Sequence, residues 1–224
     1  MASDSYPVFP FYLVIDCSLS MADALPAIND ELPALKREVE LDPIVGDIAR
    51  FGVITFSSKP QMLLPLSDLM NVTEMPVLRA QHSTCYSTVF DLLGGAIRHD
   101  IEWFKNNGSK IYRPAVFFIS DGRPNLADDW KPMHDALIDP SFDYRPNIVS
   151  FGFGEADEET IATVATFKAF AADNGESPAQ SLRTIGKELT RSIMASSQAA
   201  SQGQSVLTLP NNIPGMHEIP LDLL

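Results

Sequence analysis

The sequence predicts an α/β fold, a doubly wound and mostly parallel six-stranded sheet with one antiparallel edge strand and helices on both faces. Three observations carry this. Residues 11–15 and 115–119 are short, unbroken apolar runs, the pattern of central strands covered on both sides. Such runs alternate with segments whose apolar residues recur at helical spacing, as expected where crossover helices join parallel strands. Finally, residues 51–56 and 61–66 read as strands separated only by the tight turn 57–60, which makes them an antiparallel hairpin.

The elements follow in order. Residues 22–41 place Ile28, Leu32, Leu35 and Val39 on one helical face, and Pro33 either kinks that helix or marks its start. After the hairpin, residues 87–104 carry Val89, Leu93, Ile97, Ile101 and Phe104 on one stripe, and Asn106-Asn107-Gly108 ends the helix. Strand 115–119 is followed by a short helix over 130–137 and a strand over 148–153 that Gly154 closes. The helix over 157–164 opens on acidic residues, which suit the partial positive charge of a helix N-terminus. Residues 166–171 read as an edge strand, and 177–194 as a last helix with Leu182, Ile185, Leu189 and Ile193 on one face. From residue 195 the composition turns to Ser, Gln and Ala, and Pro210, Pro214 and Pro220 punctuate the end. The domain is therefore drawn over 1–198, with 199–224 as a C-terminal tail. Leu207, Ile213 and Ile219 leave open whether that tail docks.

The 224 residues suffice for one domain with a sizeable core. Lys and Arg number 16 against 29 Asp and Glu, a net charge of −13 that disfavours general nucleic-acid binding. No apolar run approaches the roughly 18 residues of a membrane span. The first residues lack a basic stretch before the apolar one, so no secretory signal is read there, and only Cys17 and Cys85 are present. The expected location is the cytoplasm.

Three segments carry the chemistry. Asp16-Cys17-Ser18-Leu19-Ser20 follows the first apolar strand, Ser83-Thr84 precedes a helix, and Ser120-Asp121-Gly122 follows another apolar strand. In a parallel sheet the loops leaving the carboxyl ends of strands meet at one edge. Asp16, Ser18, Ser20, Thr84 and Asp121 then offer carboxylate and hydroxyl oxygens, the donors a hard cation prefers. Magnesium is the expected ion, with manganese or calcium as alternatives. Incomplete protein coordination leaves a position that a carboxylate of another protein can fill.

These residues resemble the metal-ion-dependent adhesion site of von Willebrand factor A domains, over roughly residues 8–194. Within that superfamily the chain looks most like the bacterial TerY-type proteins of tellurium-resistance and related stress systems. The matching features are the short N-terminus, Gly52-Val53-Ile54-Thr55-Phe56, Leu64-Pro65-Leu66, and Asp121-Gly122-Arg123-Pro124 with Asp129-Trp130. The resemblance implies metal ligation by Asp16, Ser18, Ser20, Thr84 and Asp121, binding rather than catalysis, and a protein partner, with a protein kinase and a protein phosphatase as associates. Two departures are visible: Leu19 stands where the family has Gly, and His82-Ser83 replaces a Gly-Gly pair before the threonine.

Other readings compete. A haloacid-dehalogenase-like phosphohydrolase would use Asp16 as nucleophile, but it wants a second carboxylate two residues on, where Ser18 stands. The metal could instead be structural, in a scaffold. Cys17 and Cys85 each adjoin a presumed ligand and read either as a redox pair or as inert thiols. His82 reads as an alternative ligand or a loop residue, Arg123 as a partner contact or a solvated side chain, and Trp130 as a partner anchor or the start of a packed helix. No G-x-S-x-G elbow and no glycine-rich phosphate loop is present.

Overall fold

β1 (Phe9–Asp16) is buried at every position. It pairs in parallel with β2 (Ala49–Phe56) on one side and with β4 (Ala115–Ser120) on the other. The structure is a computed structural model and describes residues 7–81, 83–121, 124–154, 156–204 and 206–221. The remaining strands are β3 (Gln61–Ser67), β5 (Asn147–Gly152), β6 (Lys168–Ala172) and β7 (Met216–Ile219). Their order in the sheet is β3-β2-β1-β4-β5-β6-β7, with β3 and β7 antiparallel at the two edges and the rest parallel.

Side-chain alternation explains why β1 is apolar without interruption. Phe11, Leu13 and Ile15 join one core layer with residues of α1 (Leu25–Leu41), α2 (Pro43–Ile48) and α6 (Pro178–Ser201). Tyr12 and Val14 point the other way, into a second layer with α3 (Tyr86–Asn106) and α4 (Lys131–Ile138). α5 (Glu158–Val164) packs its Ile161 against Ala169 and Ala171 of β6. Asp157 caps α5, its carboxylate accepting from Thr160 N at 3.1 Å. The doubly wound α/β reading is therefore what the chain forms.

Four features differ from the sequence reading. Pro33 lies inside α1, which begins at Leu25 with Pro26 in its first turn. α2 leaves no periodic signal in the sequence, because six residues are too few; Asp42 caps it by accepting from Ile44 N and Val45 N. The sheet has seven strands rather than six, and β6 is not an edge strand, because β7 pairs along it. α6 also runs to Ser201, past the boundary drawn at 198.

The returning chain after α6 is bound in two ways. Leu207, Ile213 and Met216 enter the core. Ser192 Oγ donates to Thr208 O at 2.6 Å, and Thr208 N donates to Ser196 Oγ at 2.9 Å. Ser192 and Ser196, both buried, are thus hydrogen-bonded to the chain that returns after α6. β7 then satisfies the outer edge of β6, whose N–H and C=O groups would otherwise stay open to other chains. Among the described residues, no helix is long and apolar enough to cross a membrane.

Candidate metal site at the carboxyl edge of the sheet

Asp16 is the last residue of β1 and Ser120 the last of β4. The strands are parallel neighbours, so both loops leave at the carboxyl edge, where doubly wound sheets leave room for a ligand. Asp16 is fully buried. Its Oδ1 accepts from Ser18 N at 2.8 Å and its Oδ2 accepts from Ser120 Oγ at 2.8 Å. The chain then makes a single 3-10 turn, Leu19–Met21, which places Ser20 beside the β4 loop. Ser20 Oγ donates to Asp121 Oδ1 at 3.0 Å, and Ser18 Oγ lies 3.0 Å from Ser20 Oγ. Since the one hydroxyl proton of Ser20 goes to Asp121, the proton between the serines is that of Ser18. Asp16, Ser18, Ser20 and Asp121 are thus gathered at one point.

Thr84 reaches the same edge by main-chain bonds. Gln81 N donates to Cys17 O at 2.6 Å, Cys85 N to Ser57 O at 2.9 Å, and Asn125 N to Thr84 O at 3.2 Å. Ser57 Oγ also donates to Gln81 Oε1 at 2.9 Å. Upstream, Asn29 of α1 exchanges a pair of hydrogen bonds with the main chain of Leu78, anchoring the loop that leads to Thr84. Thr84 is buried, yet among the described residues no side-chain hydrogen bond joins it to the other four. Ser83, just before it, holds a φ of +66°, the left-handed region that glycine occupies freely and serine does not.

Burial dominates the electrostatics. It pushes the Asp16 carboxyl up to about 6, against the opposing pull of its bonds from Ser18 and Ser120, and the nearby Asp121 adds to the rise. Burial also drives the Cys17 thiol up to about 12, with Asp16 contributing. The Tyr86 hydroxyl is likewise pushed above its ordinary value by burial, although it hydrogen-bonds Ser120.

The donors fit a hard cation. With Mg–O distances near 2.1 Å, neighbouring oxygens of an octahedron lie about 3.0 Å apart. The pairs Ser18–Ser20 and Ser20–Asp121 stand at that spacing, each at 3.0 Å. The donors are hydroxyls and carboxylates throughout, and among the described residues no group of three or more His, Cys, Asp or Glu is poised for a metal.

Other sequence readings fall unevenly. His82, Gly122 and Arg123 lie outside the described residues. Trp130 is not a surface anchor: it is 7% exposed and packs on Tyr86 and Phe90, ring centroids 5.7 and 5.8 Å away. Leu19, by contrast, is 58% exposed between two of the site's serines. Cys17 and Cys85 are both free thiols. Ser120, Tyr86, Asn125 and Asp128 also stand at or beside this edge. Only Ser120 carried a local signal, its place beside Asp121; the others come to the site through long-range folding.

The fold and this edge define a doubly wound α/β domain with a cluster of side-chain oxygens at the carboxyl edge of its central strand. The chain belongs to the von Willebrand factor type A domain family, whose model matches residues 11–185. No curated protein matches the chain in sequence. Among solved structures, it is similar to proximal thread matrix protein 1 from the mussel byssus, whose adhesion motif holds zinc, at 15% identity and a TM-score of 0.56. That match covers 84% of this chain and 48% of the other. The open conformation of the pilus adhesin SpaC from Lactobacillus rhamnosus GG is similar at 13% identity and a TM-score of 0.63, covering 85% of this chain and 30% of that one. The chain thus spans less than half the length of either protein, and at such identities the likeness is one of fold.

Proposed function

We propose that the chain is a divalent-metal-dependent protein-interaction module, in which Asp16, Ser18, Ser20, Thr84 and Asp121 hold Mg²⁺, or Mn²⁺ or Ca²⁺ in its place, and a partner carboxylate completes the coordination. One observation carries the reading: a fully buried carboxylate, Asp16, stands at one sheet edge with Ser18, Ser20 and Asp121, whose side-chain oxygens lie 3.0 Å apart in the pairs Ser18–Ser20 and Ser20–Asp121. A cation at this point offsets two carboxylate charges that otherwise oppose each other. Membership of a family of metal-dependent interaction modules supports it, as does the zinc in the byssus protein.

The module acts by binding rather than catalysis. Among the described residues Asp16 has hydroxyl and amide partners, and no second carboxylate stands at position 18 for phosphoryl chemistry. Its setting is an intracellular bacterial stress-response complex of the tellurium-resistance kind, with a kinase and phosphatase as associates; the TerY-like features of the sequence motivate that part. Titration calorimetry with Mg²⁺ and Mn²⁺ tests the core of the proposal. Binding by the native chain and none by Asp16→Ala is expected, and a native chain that takes up neither ion sinks it. Chelator-sensitive capture of a partner separates this reading from a purely structural metal. Asp16-dependent phosphatase turnover would favour the phosphohydrolase instead.

A further inference from the structure

We infer that Asn125 and Asp128, in the loop that follows Asp121, form a clasp that sets the position of Thr84, so that two candidate ligands carried by separate loops are held as one unit. The inference rests on the metal reading above for its functional meaning, and on hydrogen bonds for its geometry.

α3 begins two residues after Thr84, and its N-terminus is capped in an unusual way. The residue at its own cap position, Cys85, makes no side-chain cap bond. The orphan N–H groups of the first turn go instead to Asp128, more than forty residues on. Tyr86 N donates to Asp128 Oδ2, and Ser87 N lies 3.3 and 3.2 Å from Oδ1 and Oδ2. The Cys85 thiol points to the same carboxylate, Sγ to Oδ1 at 3.6 Å. A negative charge at this end of a helix is favoured by the helix dipole as well.

Asn125 grips the other side of Thr84. Its main-chain N–H donates to Thr84 O at 3.2 Å, and its amide Nδ2 donates to Ser83 Oγ at 2.9 Å. Ser83 is the only described non-glycine residue with positive φ. The amide therefore holds a side chain whose backbone conformation costs free energy, at the residue that immediately precedes Thr84. A turn bond, Asp128 N to Asn125 O at 2.8 Å, fixes the two arms relative to each other. Trp130, buried against Tyr86 and Phe90, anchors the far end of the loop.

The two arms therefore tie the Thr84 loop to the loop that follows Asp121. Tyr86, whose main chain Asp128 holds, packs its ring on Trp130 at the far end of the same loop. Asn125 and Asp128 act as positioning residues, and neither is assigned as a ligand.

Two readouts test this in the full chain. The first needs no metal: amide hydrogen exchange at Tyr86 and Ser87 is followed in chelator. Asp128→Ala is expected to speed both amides about tenfold, and Asp128→Asn, which keeps an acceptor, to restore much of the protection. Exchange unchanged by Asp128→Ala overturns the clasp. The second is Mn²⁺ calorimetry. Asn125→Ala is expected to weaken binding about fivefold, with no further loss in a Ser83→Gly background, where glycine takes the left-handed conformation unaided. Losses that add in the double variant overturn the positioning role, as does an Asn125→Ala chain that binds Mn²⁺ normally. A native chain that binds no Mn²⁺ overturns the metal reading and that role with it, while the exchange result decides the clasp separately.

Discussion

Ser120 Oγ donates to Asp16 Oδ2 at 2.8 Å, joining the ends of two neighbouring parallel strands that lie 104 residues apart in sequence. The bond holds a buried carboxylate in the orientation from which its other oxygen meets the Ser18 amide.

Removing that bond should show as proton competition. Ser120→Ala takes away a donor that favours ionised Asp16, so the carboxyl moves further above about 6. Metal uptake needs the ionised form. Mn²⁺ affinity of Ser120→Ala should fall about tenfold at pH 6 and much less at pH 8, measured by calorimetry across that range. Equal losses at both pH values would argue for a purely geometric role.

Asp16 should cost the metal-free fold stability at neutral pH. Its folded pKa, about 6, lies above the ordinary value of 3.8, so the folded chain holds the proton more tightly than the unfolded one. The contribution is present in full below about pH 4, fades as pH rises through 6, and amounts to about 3 kcal/mol. In chelator at pH 7.5, Asp16→Asn should therefore resist denaturant better than the native chain, while showing no stabilisation by Mn²⁺. Urea unfolding of both chains, with and without the ion, checks the two halves together.

His134 works in the opposite direction. It is buried between Phe90 and Trp130, with Nε2 3.0 Å from Val164 O, and burial holds its pKa below the usual 6.5. The stability that its neutral form provides is complete above about pH 6.5 and is lost as pH falls through the depressed value. His134→Gln, which keeps a donor for Val164, should unfold at a less pH-dependent denaturant midpoint below pH 6.5 than the native chain. The difference between their midpoints plotted against pH is the measurement.

The segment after α6 should prove part of the domain. Ile213 is 1% exposed in the main core. Ile213→Ala should cost about 2–4 kcal/mol in urea unfolding, as for a core truncation. If the segment were a solvated tail, the midpoint would not move.

The sequence alone determined the layered architecture, because the relevant signals are local. An unbroken apolar run such as Phe11 to Ile15 admits only a strand covered on both faces, and the helical stripe from Val89 to Ile101 admits one buried face. It also singled out Asp16, Ser18, Ser20 and Asp121, since carboxylates and hydroxyls directly after apolar strands fall at one sheet edge. Only the tertiary structure decided how they meet. The 3-10 turn that brings Ser20 to Asp121, the left-handed Ser83, and the caps on α3 supplied by Asp128 depend on contacts between residues more than forty positions apart, which leave no periodic trace. The seventh strand was hidden for the same reason. Met216–Ile219 is short and proline-flanked, and it becomes a strand because the edge of β6 offers it hydrogen-bond partners.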